Sequence, residues 1–281
     1  MRKKTKLSKI IQNRATWFLR SLNSNKRALP DFIIFGAAKG GTTSLFNYLA
    51  AHPDVLPPIK KEIHYFDRNY RKGDNWYRMH FPLKQQLNKN GRLCITGEAS
   101  PYYISHPLVP ARIKKLVPDV KLIALLRNPI DRALSNYQHM VRLGIETQSL
   151  EKALELEESR IAGERDKLIQ DPCYYSYNHH HFSYINRGIY HKELEPWFDI
   201  FPREQLLINS SEQFYEEPDK VFSSVVRFIG LNDWSPEQFK AFNSGGDYAP
   251  ISPELRKKLQ DFYRPHNETL FKMLGTRFHW D

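Results

Sequence analysis

Cysteine is nearly absent from this chain of 281 residues, which holds only Cys94 and Cys173. Two cysteines in unrelated sequence contexts build neither a disulfide framework nor a cysteine-based zinc site. Long hydrophobic runs are missing too, since charge-free apolar stretches such as Leu122–Leu126 fall far short of the ~20 residues that a membrane span needs. With 41% hydrophobic and 26% charged residues, the chain is globular, and disordered, collagenous and low-complexity classes are excluded.

Acidic residues are missing from positions 1–30, which hold nine Lys or Arg. Since the whole chain has 42 bases and 31 acids, the charge beyond residue 30 is nearly balanced. We therefore predict a basic N-terminal arm, 1–30, and one globular domain, 31–281. The arm lacks the apolar core of a secretory signal, so we expect a cytoplasmic protein that is not secreted. The arm is either a weak amphipathic helix in peripheral contact with an anionic membrane, or a solvated or packed segment.

Predicted strands alternate with predicted helices along the domain. The strands are expected at 32–36, 92–96, 120–126 and 205–209. The helices are expected at 42–51, 107–117, 129–143, 151–158, 187–201, 218–229 and from 253 onward, where Pro265 is expected to kink or break the last one. This succession predicts an α/β fold with a central parallel β-sheet flanked by helices. Residues 144–185 show no clear strand and are interpreted as an insertion or lid.

The strongest motif is the glycine-rich stretch GAAKGGTTS at 36–44, between the first strand and the first helix. Glycines let backbone N–H groups approach a phosphate, and the helix N-terminus adds positive potential. Against the P-loop pattern G-x-x-x-x-G-K-[ST], Gly36 and Gly41 match, but the lysine is displaced to Lys39. This P-loop-like arrangement favours a phosphate at the 5′ end of a nucleotide over a triphosphate. The predicted phosphate-binding residues are Lys39, Gly40, Gly41, Thr42, Thr43 and Ser44.

A second candidate phosphate site follows the predicted strand 120–126. Arg127 lies just past its carboxyl end, where open α/β sheets bind ligands, and Ser135 lies in the following helix. A guanidinium and a hydroxyl could grip a separate phosphate. The alternative interpretation of Arg127 is a helix-capping salt bridge.

Together these two segments resemble the PAPS-dependent sulfotransferase superfamily. In that family the first loop holds the 5′-phosphosulfate of 3′-phosphoadenosine 5′-phosphosulfate (PAPS), and the Arg–Ser pair holds its 3′-phosphate. Further motifs, in the family's order, narrow the resemblance to the heparan sulfate glucosaminyl 3-O- and N-sulfotransferases and their bacterial relatives. These motifs are KEIHYFD at 61–67, GEASPYY at 97–103, RGIY at 187–190, WF…FPREQLL at 197–207, SEQF at 211–214 and FYRPHN at 262–267.

The resemblance implies transfer of a sulfuryl group from PAPS, without a metal, to a hydroxyl or amine of a glycan or related acceptor. Lys39 would stabilise the leaving 5′-phosphate. Glu62 would be the general base, with His64 supporting it or shaping the pocket. Tyr65 and Phe66 are expected to wall off water and thereby raise the basicity of Glu62. The alternative for Glu62 is a surface ion pair with a neighbouring lysine.

Acceptor-side residues are less clearly marked. Lys61 and Arg68 could meet an acidic glycan or belong to a solvated loop. Glu98 could orient Lys39 near the substrate or be a buried structural carboxylate. In many animal heparan sulfate enzymes a lysine follows the equivalent of Glu98, and this chain has Ala99 there. The chain also lacks the family's lysine and disulfide loop before the last helix, although Gly245 and Gly246 remain candidates for contact with the 3′-phosphate.

Three other interpretations stay open. The first is a P-loop kinase or NTPase, which would need Mg²⁺ and an aspartate at a strand end. The second is a sulfotransferase that acts on a small alcohol or lipid. The third is a non-catalytic polyanion-binding protein that acts through residues 1–30. No nucleic-acid partner is expected. The run 179–181 of three histidines suggests a metal, but adjacent histidines in a polar stretch are more typical of a solvated loop.

Overall fold

The computed structural model describes residues 16–89, 92–240, 242 and 251–280. Its strands are β1 (Phe32–Gly36), β2 (Asn88–Lys89), β3 (Arg92–Leu93), β4 (Gly97–Ala99), β5 (Lys121–Leu126) and β6 (Leu206–Ser210). Its helices include α1 (Thr42–Ala51), α2 (Gly73–Arg78), α3 (Val109–Leu116), α4 (Pro129–Arg142), α5 (Leu150–Ile161), α6 (Glu164–Gln170), α7 (Tyr177–Phe182), α8 (Tyr190–Ile200), α9 (Ser211–Glu216), α10 (Pro218–Phe228) and α11 (Pro253–Leu274). Strands β4, β1, β5 and β6 form, in that order, a parallel sheet, which confirms the predicted α/β fold.

Both faces of the sheet are buried by helices. Successive side chains of a strand point to opposite faces, and β1 sends Ile33 and Phe35 into one hydrophobic cluster and Phe32 and Ile34 into another. The first cluster includes residues of α3, α8 and α11, and the second includes residues of α1 and α10. The sheet is therefore the middle layer of three, as continuous apolar strands predict.

The predicted strand 92–96 is wrong in its extent. Cys94 and Ile95 donate their N–H groups to the carbonyls of Leu87 and Asp54, at 2.6 and 2.8 Å, and not to β1. The sheet is joined instead by β4, which begins at Gly97. It pairs with β1 and is an edge strand of the sheet. Strand β3 instead forms a short antiparallel pair with β2. Local apolar character could not reveal which neighbour each segment would find.

The last helix is not broken at Pro265, so one of the two effects expected of this proline is wrong. A proline inside a helix removes one hydrogen bond to the carbonyl four residues earlier. Pro265 lies on the exposed side of α11, where water can solvate that carbonyl. The helix continues to Leu274 and ends at Gly275, which adopts a left-handed conformation with φ +70°.

Residues 144–185 hold three helices, α5, α6 and α7, and no strand. They pack on α4, since Ala153 and Tyr184 share a hydrophobic cluster with residues of that helix. The buried Glu157 accepts hydrogen bonds from the N–H groups of Ile185 and Asn186, at 2.6 and 2.7 Å. The segment is therefore held against the domain by specific contacts, and its role as an insertion or lid stays a prediction.

The described part of the N-terminal arm, residues 16–30, packs on the domain. Residues 16–22 are helical, and the buried Arg27 donates to the carbonyl of Phe81 at 2.8 Å. None of the helices described is both long and apolar enough to pass through a bilayer. Cys94 and Cys173 are both free thiols.

Candidate functional site

A cleft of about 1160 Å³ lies where β1 and β5 end, at the carboxyl edge of the sheet. It brings together nine of the residues predicted from sequence: Lys39, Gly41, Thr42, Thr43, Glu62, His64, Arg68, Arg127 and Ser135. Ser44 lies behind the cleft in α1, where its hydroxyl accepts a hydrogen bond from the N–H of Phe242 at 3.1 Å. Gly245 and Gly246 lie outside the described residues.

The loop between β1 and α1 fits closely against its neighbours. A Cβ on Gly40 would collide with the carbonyl oxygen of Leu125. Gly41 has φ +90°, and a Cβ there would lie 2.8 Å from the hydroxyl of Tyr215. The hydroxyl of Ser211 donates to the carbonyl of Gly40 at 3.0 Å. Only glycine suits these two positions. The loop packs against β5 and α9, and it places the N-terminus of α1 at the cleft. A helix N-terminus that follows a glycine-rich loop is a typical anion-binding site.

Lys39 occupies this loop in a left-handed conformation, φ +73°, and lines the cleft. Burial, together with the charges of Arg142, Arg127 and Arg132, lowers the pKa of Lys39 to about 8. These like charges disfavour the ammonium form, and an anionic ligand between them would relieve the repulsion. The cleft is therefore built for a group of negative charge.

Arg127 and Ser135 flank the same cleft from the β5–α4 connection. Asn128 caps α4, since its side-chain oxygen accepts from the N–H of Ile130 at 3.0 Å. The cap fixes Arg127 at the strand end, and the Arg127 guanidinium lies 3.5 Å from the carbonyl oxygen of Lys39. Ser135, buried two turns into α4, faces the cleft from the helix.

Glu62 lies in a chain of charged groups. The ammonium of Lys61 donates to the hydroxyl of Thr43 at 2.7 Å and to the Oε1 of Glu62 at 3.0 Å. The other Glu62 oxygen lies 3.4 Å from His64 Nε2, and His64 Nδ1 lies 2.7 Å from the buried Asp67. The ion pair with Lys61 weighed as the alternative for Glu62 therefore exists, and it joins Glu62 to the phosphate loop.

The pKa of Glu62 is not raised, and the expectation of increased basicity is wrong for the ligand-free protein. Burial raises this pKa, but the hydrogen bond with His64 and the charge of Lys61 outweigh it and lower it to about 2. Tyr65 and Phe66 are both buried in the core and are not among the residues that line the cleft. Glu62 is half-exposed and ionised at any working pH.

His64 is the imidazole neighbour of Glu62. Burial lowers the pKa of His64, but the hydrogen bonds to Asp67 and Glu62 outweigh it and raise that pKa. Asp67 was not recognised from sequence. The contact between Asp67 and His64 depends on the left-handed turn at His64, φ +54°, which the local sequence does not mark.

Glu98 does not line the cleft and does not contact Lys39, so its predicted substrate-binding place is wrong. It is fully buried, and burial raises its pKa to about 7. Its carboxylate accepts from the hydroxyls of Ser100 and Tyr103, at 2.7 and 3.1 Å. Ser100 in turn accepts from the N–H of His64, and Tyr103 from the N–H of the next residue, at 3.1 and 2.8 Å. Glu98 therefore positions the segment that carries Glu62 and His64.

The other end of the cleft holds residues to which sequence reasoning assigned no role. Arg187 stacks over the ring of Tyr102 at 4.7 Å and donates to the carbonyl of His180 at 2.6 Å. His179 belongs to α7, is buried, and its Nδ1 lies 2.7 Å from the hydroxyl of Tyr102. The expected solvated histidine loop is therefore wrong. Within the described residues, no group of three or more His, Cys, Asp or Glu could hold a metal ion.

Comparison with known proteins gives consistent matches. The model of the sulfotransferase domain family matches residues 29–243. Heparan sulfate glucosamine 3-O-sulfotransferase 3A1 of Mus musculus is 33% identical over 92% of this chain and 66% of its own length. The membrane-associated sulfotransferase kil1 of Dictyostelium discoideum is 27% identical over 90% and 66%. A sulfotransferase structure from Alicyclobacillus acidocaldarius matches with a TM-score of 0.66 and 30% identity, covering 89% of this chain and 98% of that one. The chain thus spans slightly less than two thirds of the first of these relatives.

Proposed function

Because this chain belongs to the sulfotransferase domain family, we propose that its cleft transfers a sulfuryl group from PAPS to a glycan hydroxyl or amine. The observation that carries the proposal is the joint placement of Lys39 and Glu62 on one cleft. A cation that can stabilise a leaving phosphate and a carboxylate that can take a proton are the two groups that in-line sulfuryl transfer requires. The hydrogen bonds of Lys61 link the two sides.

The donor half of the cleft fits PAPS at two places. The glycine loop and Lys39 suit the 5′-phosphosulfate, and Arg127 with Ser135 suits the 3′-phosphate. When bound, PAPS supplies the sulfuryl group, and the chain's own residues orient it and neutralise the charge that develops on the 5′-phosphate. A P-loop kinase is disfavoured, since the strand β5 leads into Arg127 and the usual lysine position holds Thr42.

Replacing Arg127 by alanine is expected to remove most of the preference for 3′-phosphoadenosine 5′-phosphate over adenosine 5′-phosphate. A lost charge-assisted contact is worth about 1.5–3 kcal/mol, or about ten- to a hundredfold in affinity. Calorimetric titration of both nucleotides, without Mg²⁺, measures the ratio. Arg227→Ala, an exposed arginine on α10, is the matched control. Equal affinity of the unmodified protein for the two nucleotides would contradict the donor assignment.

The acceptor proposal is a glycan that carries an acidic group near the hydroxyl or amine to be sulfated. The lysine expected after Glu98 is replaced by the buried Ala99. Cationic groups from elsewhere line the acceptor end, namely the exposed Arg68 and the buried Arg187. Arg187 is held in place by its stacking on Tyr102 and its hydrogen bond to the carbonyl of His180. The names of the relatives, which act on heparan sulfate, support the same class.

Replacing Arg68 by alanine is expected to raise the KM for an acidic glycan about three- to tenfold, because an ionic contact of an exposed side chain is lost. Donor affinity and the rate with a neutral acceptor should stay unchanged. Steady-state transfer from labelled PAPS to acidic and neutral glycans measures both. Arg71→Ala removes an exposed arginine outside the cleft and is the control. Equal KM changes for acidic and neutral acceptors would show that Arg68 does not recognise charge.

We also propose peripheral contact between residues 1–30 and a membrane. Nine bases without an acid favour an anionic surface. One relative is named as membrane-associated, which agrees with such contact.

A further inference from the structure

The helix at residues 16–22 is fixed on the domain by one face. The ring of Trp17 lies edge-on to that of His80, with 5.0 Å between centroids. The guanidinium of Arg20 donates to the carbonyl of Phe81 at 2.7 Å, and also to that of Met79. These contacts set the rotation of the helix about its axis.

The opposite face of this helix is apolar and exposed. Phe18, Leu19 and Leu22 have 63%, 61% and 67% of their surface accessible. At about 100° per residue, the three lie within one arc of about 100°, on the side of the helix opposite Trp17 and Arg20. The docking of Trp17 and Arg20 therefore holds three large apolar side chains outward in one patch.

The domain surface near the site where this helix packs also exposes an apolar and a basic side chain. Ile59 is 51% exposed, and its N–H donates to the carbonyl of His80, the residue on which Trp17 packs. The next residue, Lys60, is exposed. Burial lowers the pKa of His80 to about 4, and the charge of Lys60 is a smaller contribution in the same direction. Apolar and basic side chains thus lie together at the site where the arm meets the domain.

We propose that the face formed by Phe18, Leu19 and Leu22 inserts into the interface of an anionic lipid bilayer. Apolar side chains on a helix that belongs to a basic segment are what an interfacial helix presents. The acid-free segment 1–30 gives the charge complementarity. A second copy of the chain is a poor occupant, because it would bring two basic segments together. This insertion rests on the membrane contact proposed above for residues 1–30. In addition to charge attraction, it assigns the apolar surface that enters the lipid.

The test uses the full chain with Phe18→Ser, Leu19→Ser and Leu22→Ser combined. Co-sedimentation with vesicles of phosphatidylglycerol and phosphatidylcholine in equal parts should show partitioning weakened at least about tenfold. The matched control combines Leu93→Ser, Val141→Ser and Ile169→Ser, which removes exposed apolar side chains elsewhere and should leave partitioning unchanged. Affinity for 3′-phosphoadenosine 5′-phosphate, measured in the same samples, should not change in either variant.

Three results would overturn the inference. Unchanged, salt-sensitive binding of the triple variant would show that charge alone holds the arm to the membrane. Absence of vesicle binding by the unmodified protein would remove the membrane contact altogether. Dimers that dissociate in the triple variant would show that a second copy covers this face. Retained nucleotide binding in each case would leave the sulfotransferase proposal standing.

Discussion

Glu62→Gln is expected to lower turnover at least about a hundredfold while donor affinity stays nearly constant, since a positioned general base contributes about 10²–10⁴-fold. Glutamine keeps the size and hydrogen bonding of Glu62 but accepts no proton. Because the pKa of Glu62 is lowered to about 2, the carboxylate is ionised above that pH. The rate should therefore show no acidic limb from Glu62 between pH 4 and 6, in the ordinary range of a carboxyl group.

Two further variants distinguish the proposed general base, Glu62, from the neighbouring His64 and from an unrelated glutamate. His64→Asn removes the partner that lies 3.4 Å from Glu62 and is expected to cost less than Glu62→Gln. Glu155→Gln changes an exposed glutamate on α5 and should leave turnover unchanged. If Glu62→Gln kept more than a tenth of the activity while His64→Asn were inactive, the histidine would be the base and the assigned roles would be reversed.

Lys39→Ala is expected to lower turnover at least about a hundredfold, because it removes the cation that we propose stabilises the leaving 5′-phosphate. Donor affinity should fall as well, since the same ammonium lines the cleft proposed to bind the anionic donor. Rapid-quench measurement of a single turnover, at saturating donor, separates the loss of rate from the loss of binding. A variant that kept full single-turnover rate would show that Lys39 only binds the donor.

The pH dependence gives a second readout for Lys39. Its pKa is lowered from the ordinary value near 10.5 to about 8, so the positive charge is present below that pH and is lost as pH rises through it. The kcat/KM, which reports the free protein, should therefore fall above about pH 8. Lys39→Arg keeps its charge and should remove this limb. An identical alkaline limb in Lys39→Arg would assign the limb to another group.

The sheet could be predicted from sequence because its central strands are continuous apolar runs. Such runs occur where both faces of a strand are covered, and β1 and β5 meet that condition. The edge strand β4 has only three residues, and its pairing depends on long-range contacts of the preceding segment. The local pattern around residues 92–96 therefore gave the wrong extent.

The site was predictable where chemistry depends on local spacing. The glycine loop and Lys39 lie within one strand–loop–helix unit, and Glu62 belongs to a short motif. Asp67 and Glu98 were missed or misplaced, because their roles depend on the turn at His64 and on hydroxyls brought from other segments. Sequence separation gives no direct signal for such contacts.

The most direct test of the account is transfer of label from PAPS carrying ³⁵S, in EDTA, to a panel of acidic glycans, neutral glycans and small alcohols. The account predicts labelled acidic glycan with one 3′-phosphoadenosine 5′-phosphate formed per sulfate transferred, and loss of both products in Glu62→Gln and Lys39→Ala. No transfer to any acceptor, together with Mg²⁺-dependent release of phosphate from ATP, would contradict it.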